Sequence, residues 1–277
     1  MKRYIIFFLL ILFAMPSVSY AAGESQGEQL LRIVIPSPGV LEEKPQEKGE
    51  FSFDSYFEPS KVVQGSRPGR WREVTNRLGY KYRNIQGYAA ISQWRRFDVN
   101  NYTAGIGSYV NFPNSYAHAE LGWGWDVTYM HKFQSIVEYG HRIKNGLFWQ
   151  AGYNFRHYQL NDNYIVYPGL IYYFGDNYVS ADYGLSITES RNRAQFGTLK
   201  ANFAIGKRLS LLMGTAVGER LYDIFELPAR KQSGYIIFTG FQCNLCPWLA
   251  ARVGFSYGTE KPDFIKRGAN ASLSIRF

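Results

Sequence analysis

The sequence predicts an all-β fold, a closed antiparallel transmembrane β-barrel of about fourteen strands, with twelve as the alternative count. Three observations predict it. Residues 268–277 alternate apolar and polar side chains with period two and end on Phe277. From residue 50 onward the chain breaks into segments of about ten residues parted by turn chemistry. The connections between those segments are short and long by turns, as barrel strands require when both termini lie on one side of a membrane.

The chain opens on a different pattern. Lys2 and Arg3 precede an apolar run over 4–15, and Ser19-Tyr20-Ala21 supplies small residues at the two positions a signal peptidase reads. That run is about twelve residues long where a spanning helix needs about 20. Residues 1–21 therefore read as a cleaved signal peptide. Residues 22–49 are rich in Glu, Lys, Pro and Gly and read as a poorly ordered periplasmic tail. Its one apolar patch, 30–35, is followed at once by Pro36; pairing with a partner or plugging the barrel is the functional reading of that patch.

The barrel occupies 50–277. Its expected strands are 51–57, 71–83, 85–97, 101–112, 116–125, 133–143, 147–159, 164–174, 178–188, 195–205, 208–218, 233–243, 248–259 and 264–277. The even connections are tight and periplasmic: Arg83-Asn84, Pro113-Asn114-Ser115, Lys144-Asn145-Gly146, Asp176-Asn177, Gly206-Lys207 and 244–247. Asn, Asp and Gly tolerate the positive φ of such turns. The odd connections are longer on average, 58–70, 126–132 and 219–232 most of all. A soluble sandwich has no reason to sort loop length by parity.

Composition agrees. Tyr 22, Phe 20 and Trp 6 make up 17% of the chain, an aromatic load suited to girdles at two water interfaces. The formal charge is +9, of which the leader removes Lys2 and Arg3. An exported chain seldom meets nucleic acid, so anionic headgroups or an acidic polymer are the partners that charge implies.

The alternation assigns faces. Trp123, Trp149, Tyr153, Tyr183, Phe203 and Phe255 fall on the lipid side, and Gln150, Asn154, Ser180, Thr198 and Ser256 on the lumen side. Segments 85–97, 164–174 and 233–243 are apolar on both faces and leave the assignment open. Charged lumen candidates are Arg77, Lys81, Arg142, Arg156, Lys200, Arg252, Lys266 and Arg276, set against Glu120, Glu138 and Asp182. One reading is a basic lumen that prefers anions; the other is a narrow lumen filled by Arg and Glu pairs from neighbouring strands.

Catalysis by a barrel enzyme acting on lipid needs a Ser, His and carboxylate, or an Asp and His, within hydrogen-bond reach. His118 and Glu120 share the lumen face, but no Ser is placed beside them. His131 falls in an outer loop, and His141 and His157 face outward. No catalytic residue is assigned, and no metal cluster, phosphate loop or cofactor motif appears. Cys243 and Cys246 flank an expected turn, where an oxidising periplasm favours a disulfide; two free thiols are the alternative. Basic residues over 58–72 (Lys61, Arg67, Arg70, Arg72) and 219–232 (Arg220, Arg230, Lys231) suit lipopolysaccharide phosphates.

From about Trp71 to Phe277 the chain resembles the YaiO-type outer-membrane β-barrel family. The likeness rests on Gln93-Trp94-Arg95-Arg96-Phe97, Tyr139-Gly140-His141-Arg142 with Gly146 and Gly152-Tyr153, the segment Tyr172-Tyr173-Phe174-Gly175-Asp176-Asn177-Tyr178, and Gly218-Glu219-Arg220. It implies a Gram-negative outer-membrane barrel and brings no catalytic residue. The closing strand, with Leu273, Ile275 and Phe277 on one face, looks like the signal read by the barrel-assembly machinery. The expected role is a non-enzymatic pore, scaffold or envelope-polysaccharide protein. Its partners are outer-membrane lipid, lipopolysaccharide, the assembly machinery and, as a candidate, an anionic polysaccharide.

Overall fold

Fourteen antiparallel strands close on themselves in a computed structural model that describes residues 49–96, 98–128, 130–159, 161–189, 192–221, 231–261 and 264–277. The leader expected at 1–21 and nearly all of the tail expected at 22–49 lie outside these residues. In chain order the strands are β1 Glu50–Gln64, β2 Arg67–Tyr82, β3 Ile85–Arg96, β4 Val99–Phe112, β5 Ser115–Trp125, β6 Phe133–Lys144 and β7 Leu147–His157. They continue as β8 Asp162–Phe174, β9 Asn177–Thr188, β10 Arg193–Ala204, β11 Leu209–Leu221, β12 Lys231–Cys246, β13 Leu249–Glu260 and β14 Phe264–Arg276. Each strand pairs with its chain neighbours, and β14 returns to β1 from Ser52↔Arg276 to Gln64↔Phe264. The seam is sealed by a reciprocal backbone pair, Phe51 N to Phe277 O (2.8 Å) and Phe277 N to Phe51 O (2.9 Å). A closed ladder leaves no sheet edge to satisfy.

The even connections are as tight as the sequence requires, with positive φ at Arg83 (54°), Gly146 (76°), Gly175 (62°) and Gly206 (93°). Two details differ. The first hairpin has no long loop: β1 and β2 stay paired through Lys61↔Arg70 and turn at Gly65 and Ser66. Residues 58–70 were polar enough to look like loop, yet alternate ones pack inward, and Val62 joins Trp71 and Phe264 in a buried cluster. At the other end of the barrel, β12 runs on through Cys246 with a register shift between Asn244 and Cys246, so the turn falls at Pro247-Trp248. Cys243 and Cys246 are free thiols, and the expected disulfide is corrected for a geometric reason. Three residues of strand span about 10 Å, whereas bridged Cα atoms lie within about 7 Å.

The outer wall is apolar along the full circuit, with Phe255 67% and Ile91 59% exposed. The three ambiguous segments resolve once register is known. In β3, Ser92, Trp94 and Arg96 face in while Ile85 and Ile91 face out; in β8, Ile165, Ile171 and Tyr173 face in; in β12, Phe238 does. They were apolar on both faces because this lumen is partly a hydrophobic core.

Inward rings are seated on glycines of the adjacent strand. Tyr88 lies across Gly107, Tyr116 across Gly140, Tyr167 across Gly152 and Phe196 across Gly184, each pair directly opposite in register. A methyl group on Gly140 would meet Tyr116 Cε1 at 2.2 Å, and one on Gly152 would meet Tyr167 Cζ at 2.0 Å. Gly140→Ala is therefore expected to swing the Tyr116 ring off the wall and lower stability by about 1–3 kcal/mol, the usual cost of overpacking. Gel mobility of unboiled samples heated in steps reads this directly; an unfolding temperature equal to wild type would show that the ring has room to spare.

Candidate functional site

The seated rings aim their hydroxyl groups at carboxylates, and this builds the lumen. Tyr88 donates to Glu120 Oε2, and His118 Nε2 lies 2.9 Å from the Tyr88 hydroxyl oxygen. His118 stacks on Tyr109 with ring centroids 4.0 Å apart, and Gln134 Nε2 donates to Glu120 Oε1 at 3.2 Å. The Arg77 guanidinium lies 3.5 Å from the centre of the Tyr88 ring, a cation over a π face. One group thus joins β2, β3, β4, β5 and β6.

A second group continues around the wall. The Tyr116 hydroxyl is 2.9 Å from Glu138 Oε1 and 2.8 Å from Gln150 Oε1, and Tyr167 donates to Glu138 Oε2 at 3.1 Å. Gln150 Nε2 donates in turn to Asp182, which also accepts from Thr198 (2.9 Å) and pairs with Lys200 Nζ at 3.6 Å. Toward the seam, Glu58 meets Lys266 Nζ at 2.8 Å and accepts from Ser60, Tyr56 and Ser256. Arg96 sits between Trp71 and Trp94.

Among the described residues these groups leave a cavity of about 180 Å³. Of the lumen residues named from sequence, Arg77, Glu120, Glu138, Arg156, Asp182 and Lys200 line it. Arg142 stacks on Phe148 and Arg252 donates to Gln242 (2.9 Å), both nearer the periplasmic end, where β2 also carries Lys81. Arg276 stands at the rim, 64% exposed and 3.8 Å from Glu50. At the other end the cavity is lined by the β5–β6 connection. Its residues Met130 and His131 are buried, and it is pinned by Thr128 N to Asn101 Oδ1 (2.7 Å). The outer-loop histidine is thus a lumen residue.

Sequence reasoning did not single out Tyr88, Tyr109 or Tyr167, which line the cavity together with Trp94. The usable signal was an inward Gly facing an aromatic on the next strand, and it needs the register to be seen. His118 contacts Tyr88 and Tyr109, and its ring nitrogen is spent on a tyrosine rather than a serine.

The Lys200–Asp182 pair is buried, so Lys200→Met strands a charge. It is expected to cost about 3–5 kcal/mol, with Asp182→Asn in the same chain recovering a large part. Chemical denaturation of the single and double variants measures both; equal loss in the two would show that the pair is not coupled.

No family model and no curated protein matches the sequence. Solved structures do resemble the fold. One is described as a bacterial polysaccharide outer membrane secretin, with TM-score 0.56 and 7% identity over 83% of this chain and 99% of that chain. Another is the outer membrane protein Omp33 of Acinetobacter baumannii, with TM-score 0.51 and 14% identity over 82% of this chain and 99% of that one. At such identities the likeness is one of architecture, and the chain has the closed fourteen-stranded antiparallel fold of outer-membrane β-barrels.

Proposed function

We infer that this protein is a Gram-negative outer-membrane barrel of the YaiO type that serves as a closed-lumen scaffold and saccharide-binding protein of the envelope, not as an open pore. One observation carries the reading: the charged residues that face the lumen are buried like a core. Arg156 is 2% exposed, Lys200 5% and Glu138 6%, while the apolar chains of the outer wall are the exposed ones. A water-filled channel would leave such lumen charges open to solvent.

The cationic excess of the sequence does not carry into the cavity, where Arg77, Arg156 and Lys200 are met by Glu120, Glu138 and Asp182. This balance supports a neutral sugar unit over the anionic polymer that net charge alone favours. Trp94 and Tyr109 line the cavity, and the surrounding carboxylates and amides supply donors and acceptors for sugar hydroxyls. The outward apolar wall supports insertion into the outer membrane.

Planar bilayers containing the purified protein are expected to show no sustained conductance steps. Stable, ion-selective steps of either sign would sink the closed-lumen reading. A neutral hexose monosaccharide is expected to change tryptophan fluorescence in the wild type and much less in Trp94→Phe; a response equal in both, or absent in both, removes the saccharide assignment.

A further inference from the structure

The outward face near the end of the barrel away from both chain ends carries cations in cross-strand register. Lys61 of β1 stands directly opposite Arg267 of β14 on one side and Arg70 of β2 on the other. Two residues nearer the membrane, Arg72 of β2 stands opposite Arg95 of β3. All five are exposed. Like charges directly opposite on one face of a sheet destabilise the pairing. Here that arrangement runs over four adjacent strands, β14, β1, β2 and β3. Among the described residues, the outward positions of these strands hold no carboxylate; the nearest is Asp98 in the β3–β4 turn, 2.9 Å from Arg95.

Height on the wall says what meets this patch. At the periplasmic end, Phe51 stacks on Phe277 and meets Tyr80 at a tilt, an aromatic girdle. Lys61 lies ten positions further along β1. With strands tilted as in membrane barrels, ten residues climb about 25 Å, the height of the apolar band. Tyr257, opposite Arg267, and its neighbour Tyr235 belong to the upper girdle. The cations therefore sit at the upper interface, at the level of lipid headgroups. The patch is about 14 Å wide at the usual strand spacing and two rows deep, more than a single phosphate covers.

We propose that this face is a binding site for a glycolipid of the outer leaflet bearing at least two phosphates, held by Arg267, Lys61 and Arg70 in one row and Arg72 and Arg95 in the next. The phosphates remove the repulsion that the bare wall suffers, and the acyl chains lie on the apolar surface below, beside Phe57 and Val74. The site rests on the outer-membrane reading but not on anything in the lumen.

The full-length protein in neutral detergent provides the test, with bisphosphorylated lipid A, its dephosphorylated form and phosphatidylglycerol as probes and native mass spectrometry as the readout. Wild type is expected to hold bisphosphorylated lipid A in preference to both others. K61Q/R70Q/R267Q is expected to bind it roughly a hundredfold more weakly, about fivefold for each cation removed. R72Q/R95Q is expected to lose roughly 25-fold, and K207Q/R208Q, in a periplasmic turn, is expected to bind as wild type. In detergent without lipid the triple variant is expected to melt no lower than wild type, because only repulsion has been removed. Equal retention by the triple variant, equal binding of the dephosphorylated lipid or of phosphatidylglycerol, or a lower melting temperature without lipid would each overturn the site. Flotation of proteoliposomes tests membrane insertion separately, so a failure of the outer-membrane reading is distinguishable from a failure of this one.

Discussion

Closure is the constraint on which the rest of this structure depends. A strand facing hydrocarbon has no water for its backbone, so the first strand must find the last. It does so over nearly the whole of β1, with Phe51 and Phe277 exchanging backbone hydrogen bonds at one end and Gln64 meeting Phe264 near the other. That register is also what sets Glu58 beside Lys266 and Ser256, which come from the opposite end of the chain. A one-residue slip would send every one of those side chains to the other face.

Once the wall is closed, its glycines govern what fills it. Each inward ring of the Tyr88, Tyr116 and Tyr167 set occupies space that a side chain on Gly107, Gly140 or Gly152 would take. Laid flat, the rings reach across one strand and present hydroxyl groups to Glu120 and Glu138. A buried carboxylate is costly unless such donors surround it. Thus small residues on one strand allow large ones on the next to satisfy buried charges one or two strands away. The same wall shows another chemistry outside, where Lys61, Arg70 and Arg267 have no carboxylate opposite them.

Much of the architecture was legible in residue order. The period-two alternation of 268–277, the tight turns at Arg83-Asn84 and Lys144-Asn145-Gly146 and the parity of loop length lead to fourteen strands, and fourteen close. The failures are specific. Residues 58–70 were read as loop because polarity on a strand beyond the lipid looks like polarity in a loop. The cysteine turn was placed too early because a bulge at Asn244 mimics a turn in sequence. Segments such as 85–97 could not be given faces because Trp94 and Ile91 are both apolar, though one is in the core and the other on the wall. His131 was assigned to an outer loop, correctly by sequence, yet the loop leans in.

By itself, then, the sequence pointed to about fourteen strands and to the inward face of most of them, since both follow from a two-residue period that acts locally along each strand. Only the tertiary structure decided how the lumen is filled. That depends on how far rings from one strand reach over the glycines of the next and on which carboxylates they meet there. Those distances are set by cross-strand register, a relation between residues far apart in the chain that no local pattern encodes.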